Sequence, residues 1–182
     1  MPPLPTWSAA SLNFQISYVR EHPVDATPFS TPDISRLLTL FARQVREAGF
    51  RVPPAADFDN FVDAQPDLVL FFAGDPRRTP ETWDVAVVLP DILAPYRDRL
   101  QVGLLDPALA ERFATRYGVT LYPTLVFLRH GAYLGAIERM RDWDYYEEAI
   151  RAVLASDPAA VPGTHAKPAS DVAGHSEQGP NP

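Results

Sequence analysis

The sequence predicts an α/β chain folded as a three-layer α/β/α sandwich around a mixed central sheet. Two observations carry that reading. From Leu68 to Leu154, short apolar runs alternate with segments whose apolar residues recur at three and four, in the order β-α-β-α-β-β-α. Strand-helix-strand units make parallel neighbours, and two final strands joined by a short turn with glycine add an antiparallel one.

At the start of the chain, Pro2, Pro3 and Pro5 precede Leu12-Asn13-Phe14-Gln15-Ile16-Ser17-Tyr18, a strict apolar-polar alternation suited to a half-buried strand. Residues 1–31 are therefore an N-terminal extension with three open readings: an edge strand, a self-association element, or a disordered segment. A helix is expected over 32–48, with Ile34, Leu37, Leu38, Phe41 and Val45 on one face and Gly49 closing it. Phe50-Arg51-Val52 is a short first strand. Leu68-Val69-Leu70-Phe71-Phe72, stopped by Gly74 and Pro76, reads as a strand buried on both faces.

Over 85–96, Val85, Val88, Leu89, Ile92, Leu93 and Tyr96 mark one helix face. Pro90 lies inside it, removes a backbone donor, and predicts a kink. A buried strand follows at 102–105. Asp106-Pro107 then supplies an N-cap and a first-turn proline for a helix carrying Leu109, Phe113 and Tyr117 and ended by Gly118. After Tyr122-Pro123-Thr124 comes a hairpin, 125–128 and 133–137 about Arg129-His130-Gly131. Asp142 is the expected cap of a last helix with inner residues Trp143, Tyr146, Ile150 and Leu154. Residues 32–155 fall in the ordinary size range of one domain. Residues 156–182, rich in proline and small polar residues without an apolar run, are expected to be a disordered tail.

The element order, the proline-bearing helix and the X-Pro-Thr before the hairpin resemble the thioredoxin fold. Four segments carry a narrower likeness: the stretch 71–84, Phe71-Phe72-Ala73-Gly74-Asp75-Pro76-Arg77-Arg78-Thr79-Pro80-Glu81-Thr82-Trp83-Asp84; the stretch 112–127 from Arg112-Phe113 through Tyr117-Gly118-Val119 to Tyr122-Pro123-Thr124-Leu125-Val126-Phe127; Gly131-Ala132-Tyr133-Leu134-Gly135; and Asp142-Trp143. In these the chain resembles hydrogenase expression proteins of the HyaE, HoxO and HupG type, over about 32–155.

Aligned on the helix proline, the thioredoxin Cys-x-x-Cys falls on Thr82-Trp83-Asp84-Val85, and the 182 residues contain no cysteine. Thiol-disulfide exchange needs a thiolate, so this chain cannot perform it. The resemblance implies a redox-inactive chaperone in maturation of an uptake nickel-iron hydrogenase, one that binds the small-subunit precursor and its twin-arginine signal peptide before export. The alternative is a structural adaptor that recruits another hydrogenase maturation protein without touching the signal peptide.

The expected partner-binding residues are Asp75, Arg78, Pro80, Glu81, Trp83, Asp84, Tyr122, Pro123 and Thr124. Each has a plainer reading. Thr79 and Pro80 fit an N-cap and first-turn proline, with the carboxylates at the positive helix end. Trp83 fits core or rim packing as well as an exposed anchor. Tyr122-Pro123-Thr124 is either a rigid turn or, as in thioredoxin-like proteins, a cis proline exposing a backbone edge for an extended peptide.

Net charge is −7, and Asp57 to Asp91 hold eight carboxylates against Arg77 and Arg78. That window is either a docking surface for a basic peptide or a solvated acidic face. Nucleic acid is disfavoured as a partner. His22, His130, His165 and His175 are scattered, so neither a metal nor another cofactor is expected, and catalysis lacks a base or nucleophile. No stretch is long and apolar enough for a membrane helix, and no basic start with an apolar run marks a secretory signal, so a cytoplasmic location is expected.

Overall fold

A computed structural model of the chain describes residues 32–162. The readings of residues 1–31 and of 163–182 lie outside the described residues.

Helix α1 (Ile34–Glu47) opens with Asp33, whose carboxylate accepts the Arg36 N–H at 3.0 Å, and Gly49 at φ 73 follows its end. Its buried face is Leu37, Leu40, Phe41 and Gln44, which keeps Leu37 and Phe41 of the expected stripe and replaces the rest. Ile34, Leu38 and Val45 are exposed, because the helix is turned to present Leu40 and Gln44 to its neighbour across the layer. The expected strand at 50–52 is reduced to one parallel bridge, Arg51 to Gly103, with the Arg51 N–H donating to the Val102 carbonyl at 2.9 Å. Pro53 and Pro54 follow at once and cannot donate to a ladder.

Helix α2 (Phe58–Asp63) was not expected; six residues give too short a period to read, yet Phe58 and Val62 are buried. Strand β1 (Asp67–Phe72) pairs in parallel with β2 (Gln101–Leu105) and antiparallel with β3 (Thr124–Arg129). With β4 (Ala132–Glu138), the sheet order is β2-β1-β3-β4. His130 and Gly131, both at positive φ, make the tight turn between β3 and β4.

The pleat sorts β1 into two cores. Val69 and Phe71 face α1, α3 (Glu81–Leu93) and α5 (Trp143–Ala155), whereas Leu68, Leu70 and Phe72 face α2 and α4 (Pro107–Ala114). A layer of helices thus covers each face of a mixed sheet, the thioredoxin-like architecture that the element order predicts.

Pro90 lies within α3, and its missing N–H deprives the Ala86 carbonyl of its ordinary i→i−4 partner. Gln44 of α1 replaces it, donating Nε2–H to the Ala86 oxygen at 2.6 Å. The buried glutamine on α1 is therefore matched to the proline in α3. At α4, Asp106 caps as expected, accepting the Leu109 N–H at 2.9 Å, and Gly118 at φ 65 follows the final turn. Asp142 occupies the cap position of α5 without a side-chain bond, and Trp143 is exposed rather than inward; Tyr146, Ile150 and Leu154 are buried as expected.

Beyond α5 the chain stays against the domain for several residues. The Ala159 N–H donates to the Tyr133 carbonyl of β4 at 2.7 Å, and Val161 packs against the α4-side core. The start of the expected tail thereby covers part of the edge strand β4.

Candidate functional site

The C-terminal end of β1 turns out of the sheet through Ala73 and Gly74. The following loop is held by its own backbone: the Asp75 carbonyl accepts the N–H groups of Arg78 and Thr79 at 2.9 and 2.8 Å, and the Asp75 carboxylate accepts the Arg77 N–H at 2.9 Å. Arg77 also lies 3.5 Å from Asp33 at the head of α1. The expected side-chain cap at Thr79 is not formed. Pro80 is already helical, α3 begins at Glu81, and Thr79 contributes its carbonyl to the Thr82 N–H instead.

Thr82, the first residue of the Thr82-Trp83-Asp84-Val85 stretch, is fully buried, and its hydroxyl accepts the Gly74 N–H at 3.2 Å. Val85 is buried too. Thr82 thus closes the loop and Val85 fills the core.

Gly74 is required by its neighbours: a Cβ there would stand 2.9 Å from the Tyr122 Cβ and 3.3 Å from that of Thr79. Tyr122 belongs to the loop before β3, and the Tyr122-Pro123 peptide bond is cis. The Pro123 carbonyl accepts the Arg139 N–H at 2.7 Å, and the Thr124 hydroxyl donates to the Leu121 carbonyl at 2.7 Å. Pro123 and Thr124 are buried and internally satisfied. Among the described residues, by contrast, the Tyr122 N–H and carbonyl take part in no hydrogen bond.

A cleft of about 310 Å³ opens between the 73–79 loop, Pro107 and Glu111 of α4, and Tyr122. It gathers Asp75, Arg78 and Tyr122 of the expected residues. Burial, and then the negative charge of Glu111, push the Tyr122 hydroxyl above the ordinary tyrosine range, so it stays protonated and able to donate. Pro107 and Glu111 were missed by sequence reasoning, although Asp106-Pro107 at the end of β2 marks the same end of the parallel pair as Gly74 at the end of β1.

The remaining expected residues divide. Pro80, Glu81 and Asp84 are exposed about the first turn of α3, outside the cleft lining. Trp83 is half-buried against the α1 side of the core, with the Arg36 guanidinium 5.8 Å from its ring centre. Nor is the 57–91 acidic window one surface. Asp59 pairs with Arg116, and Asp67 with Arg129 at 2.8 Å. Asp67 and Asp75 flank the two ends of β1, roughly 20 Å apart at the strand rise. The carboxylates at the cleft end are Asp75, Glu81 and Asp84, joined by Glu111.

No cluster of metal-ligating side chains occurs among the described residues. What the arrangement offers is an unpaired backbone edge beside an open, net-negative cleft, suited to holding an extended chain.

The family model of hydrogenase-1 expression protein HyaE matches residues 40–146. The chain is 41% identical over 123 residues to the hydrogenase expression/formation protein HoxO of Azotobacter vinelandii, spanning 68% of this chain and 82% of that protein. It is 38% identical over 108 residues to the hydrogenase expression/formation protein HupG of Rhizobium leguminosarum bv. viciae, spanning 59% and 68%. Among solved structures, a mutant thioredoxin from Halobacterium salinarum NRC-1 superposes with a TM-score of 0.48 at 18% identity, over 60% of this chain and 93% of that one.

Proposed function

The chain belongs to the HyaE family of hydrogenase expression proteins, and from that membership we propose that it is a redox-inactive chaperone that binds a hydrogenase small-subunit precursor through its twin-arginine signal peptide, in the cytoplasm before export. The hydrogenase served is of the uptake nickel-iron class. The observation that carries this reading is the unbonded Tyr122 backbone beside the cleft.

An extended peptide can pair with Tyr122 by main-chain hydrogen bonds and direct its side chains to either side. Arginines in such a peptide meet Asp75, Glu81, Asp84 and Glu111, with Arg78 the one cation lining the cleft. The carboxylates are solvent-exposed or only half-buried, so their attraction is screened beyond about 8 Å at physiological salt. They steer the peptide and set its orientation more than they hold it.

The test is binding of the small-subunit signal peptide to the wild type and to the Glu81→Lys, Asp84→Lys double variant at low salt. The double variant is expected to bind roughly tenfold more weakly, with a shallower salt dependence. Unchanged affinity would contradict the acidic docking surface. Pull-down of the precursor without its signal peptide separates the adaptor: the chaperone reading expects the partner to be lost, and retention would transfer the contact to the mature subunit or a maturation protein.

A further inference from the structure

An open sheet has two edges, and an edge strand with unpaired N–H and C=O groups is a template for another strand. At β2 the chain closes the edge from nearby: the Arg51 N–H donates to the Val102 carbonyl at 2.9 Å, the Leu104 N–H donates to the Arg51 carbonyl at 2.7 Å, and Pro53 and Pro54 follow. β4 is the other edge. The Arg139 N–H bonds the Pro123 carbonyl, so by antiparallel alternation Ile137 turns its backbone toward β3, while Glu138 and Ala136 turn theirs outward. From Ala132 to Ile137, β4 carries no charged side chain, so charge does not protect this edge.

Residues 156–162 protect it instead. Arg129 of β3, ion-paired to Asp67, donates Nη2–H to the Leu154 carbonyl at 2.9 Å and Nη1–H to the Ser156 carbonyl at 3.5 Å, tying down the end of α5 and the first residue beyond it. The Ala159 N–H then occupies the Tyr133 carbonyl on the outer side of β4 at 2.7 Å. Val161 packs against the α4-side core, and the Pro162 carbonyl lies so close to Gly118 that a Cβ there would stand 2.5 Å from it. The segment thus crosses the β4 edge from the α5 face of the sheet to the α4 face. Farther along β4, Leu134 is a bulge residue without a partner in the β3 register, and the Arg141 Nε–H takes the Glu138 carbonyl at 3.0 Å. Between these guards the outward N–H and carbonyl of Ala136 take part in no hydrogen bond among the described residues.

We infer that residues 156–162 are a clasp that keeps β4 from pairing with the β4 of a second copy, and that releasing it converts a monomer into an edge-to-edge dimer. The Tyr133 carbonyl already holds a passing segment of chain by a main-chain bond, so the outer side of β4 accepts a backbone there. A second copy fits it by symmetry: two β4 strands related by a twofold axis run antiparallel and offer each other the same donors and acceptors. The uncharged run from Ala132 to Ile137 brings no like charges together in that pairing. No residue lining the Tyr122 cleft takes part, so the clasp is independent of peptide binding at that site.

The experiment uses the full chain, with sedimentation velocity over a concentration series and amide hydrogen exchange across 156–162. The Ala159→Pro, Val161→Asp variant removes the donor to Tyr133 and the apolar contact without changing the sheet. The wild type is expected to sediment as a monomer. The variant is expected to lose exchange protection across 156–162 and to dimerise at least roughly tenfold more tightly, about what two newly freed main-chain hydrogen bonds supply. Adding Ala136→Pro removes an outward N–H of β4 while sparing the bonds to β3, and is expected to return the variant to a monomer. A variant that loses protection and stays monomeric, or one that keeps its protection, would overturn the inference. So would a wild type that associates as tightly as the variant, or a dimer that survives Ala136→Pro.

Discussion

Replacing Gln44 by methionine tests whether the proline in α3 depends on its glutamine. Gln44 is 2% exposed, and its Nε2 is 2.6 Å from the Ala86 oxygen. Methionine retains the length and most of the volume of the side chain but cannot donate, so the carbonyl orphaned by Pro90 is left buried without a partner. That costs about 1–3 kcal/mol. The Gln44 Oε1, buried with no partner of its own, is removed by the same change and returns part of that cost. The net loss is about 1–2 kcal/mol, read as a lower urea midpoint at unchanged slope. Pro90→Ala restores the N–H that bonds the Ala86 carbonyl, so in that background the methionine substitution is expected to cost about 1 kcal/mol less. Equal costs in both backgrounds, within about 0.3 kcal/mol, would refute the pairing of glutamine with proline.

Thr82→Cys gives the chain its one thiol; because the position is fully buried, labelling by a thiol reagent is expected to be at least about tenfold slower in the folded protein than in urea, and equal rates would show that the site is open. Gly74→Ala drives a methyl group against Tyr122 and Thr79 and is expected to lower stability by about 1–3 kcal/mol in thermal unfolding; a loss below about 0.5 kcal/mol would show that the loop is not packed as described. Tyr117 has a buried hydroxyl with no partner among the described residues, and burial raises its pKa. A raised folded-state pKa gives stability that is complete below the unfolded value near 10 and lost as pH rises through the folded value. Tyr117→Phe is therefore expected to be neutral or slightly stabilising at pH 7 and to soften the alkaline unfolding limb, whereas a clear loss at pH 7 would mean that the hydroxyl is bonded.

The strands and long helices were legible because burial leaves a period. The run 68–72 is apolar throughout because each pleat face has its own core, and Tyr146, Ile150 and Leu154 keep the helical spacing. Asp106 and Gly118 act where their local chemistry says they should. What the sequence hid depends on partners far along the chain. Gln44 reads as an ordinary polar helix residue until Pro90 is seen to orphan the Ala86 carbonyl. In α1, Leu37 and Phe41 are buried as their spacing predicts, but Leu40 and Gln44 take the places expected of Ile34, Leu38 and Val45 because Gln44 bonds to α3. α2 is too short to show a period, and two of the acidic-window carboxylates are answered by Arg116 and Arg129 from distant segments. At the site, Asp75 and Tyr122 were found from local motifs, whereas Glu111 reaches the same sheet end only through the parallel pairing of β1 and β2.

The central claim is tested most directly by titrating the purified full chain with the small-subunit twin-arginine signal peptide, beside an unrelated twin-arginine peptide, at two salt concentrations. The account predicts selective binding of the cognate peptide that weakens as salt rises. No binding, or equal binding of both peptides, would contradict it.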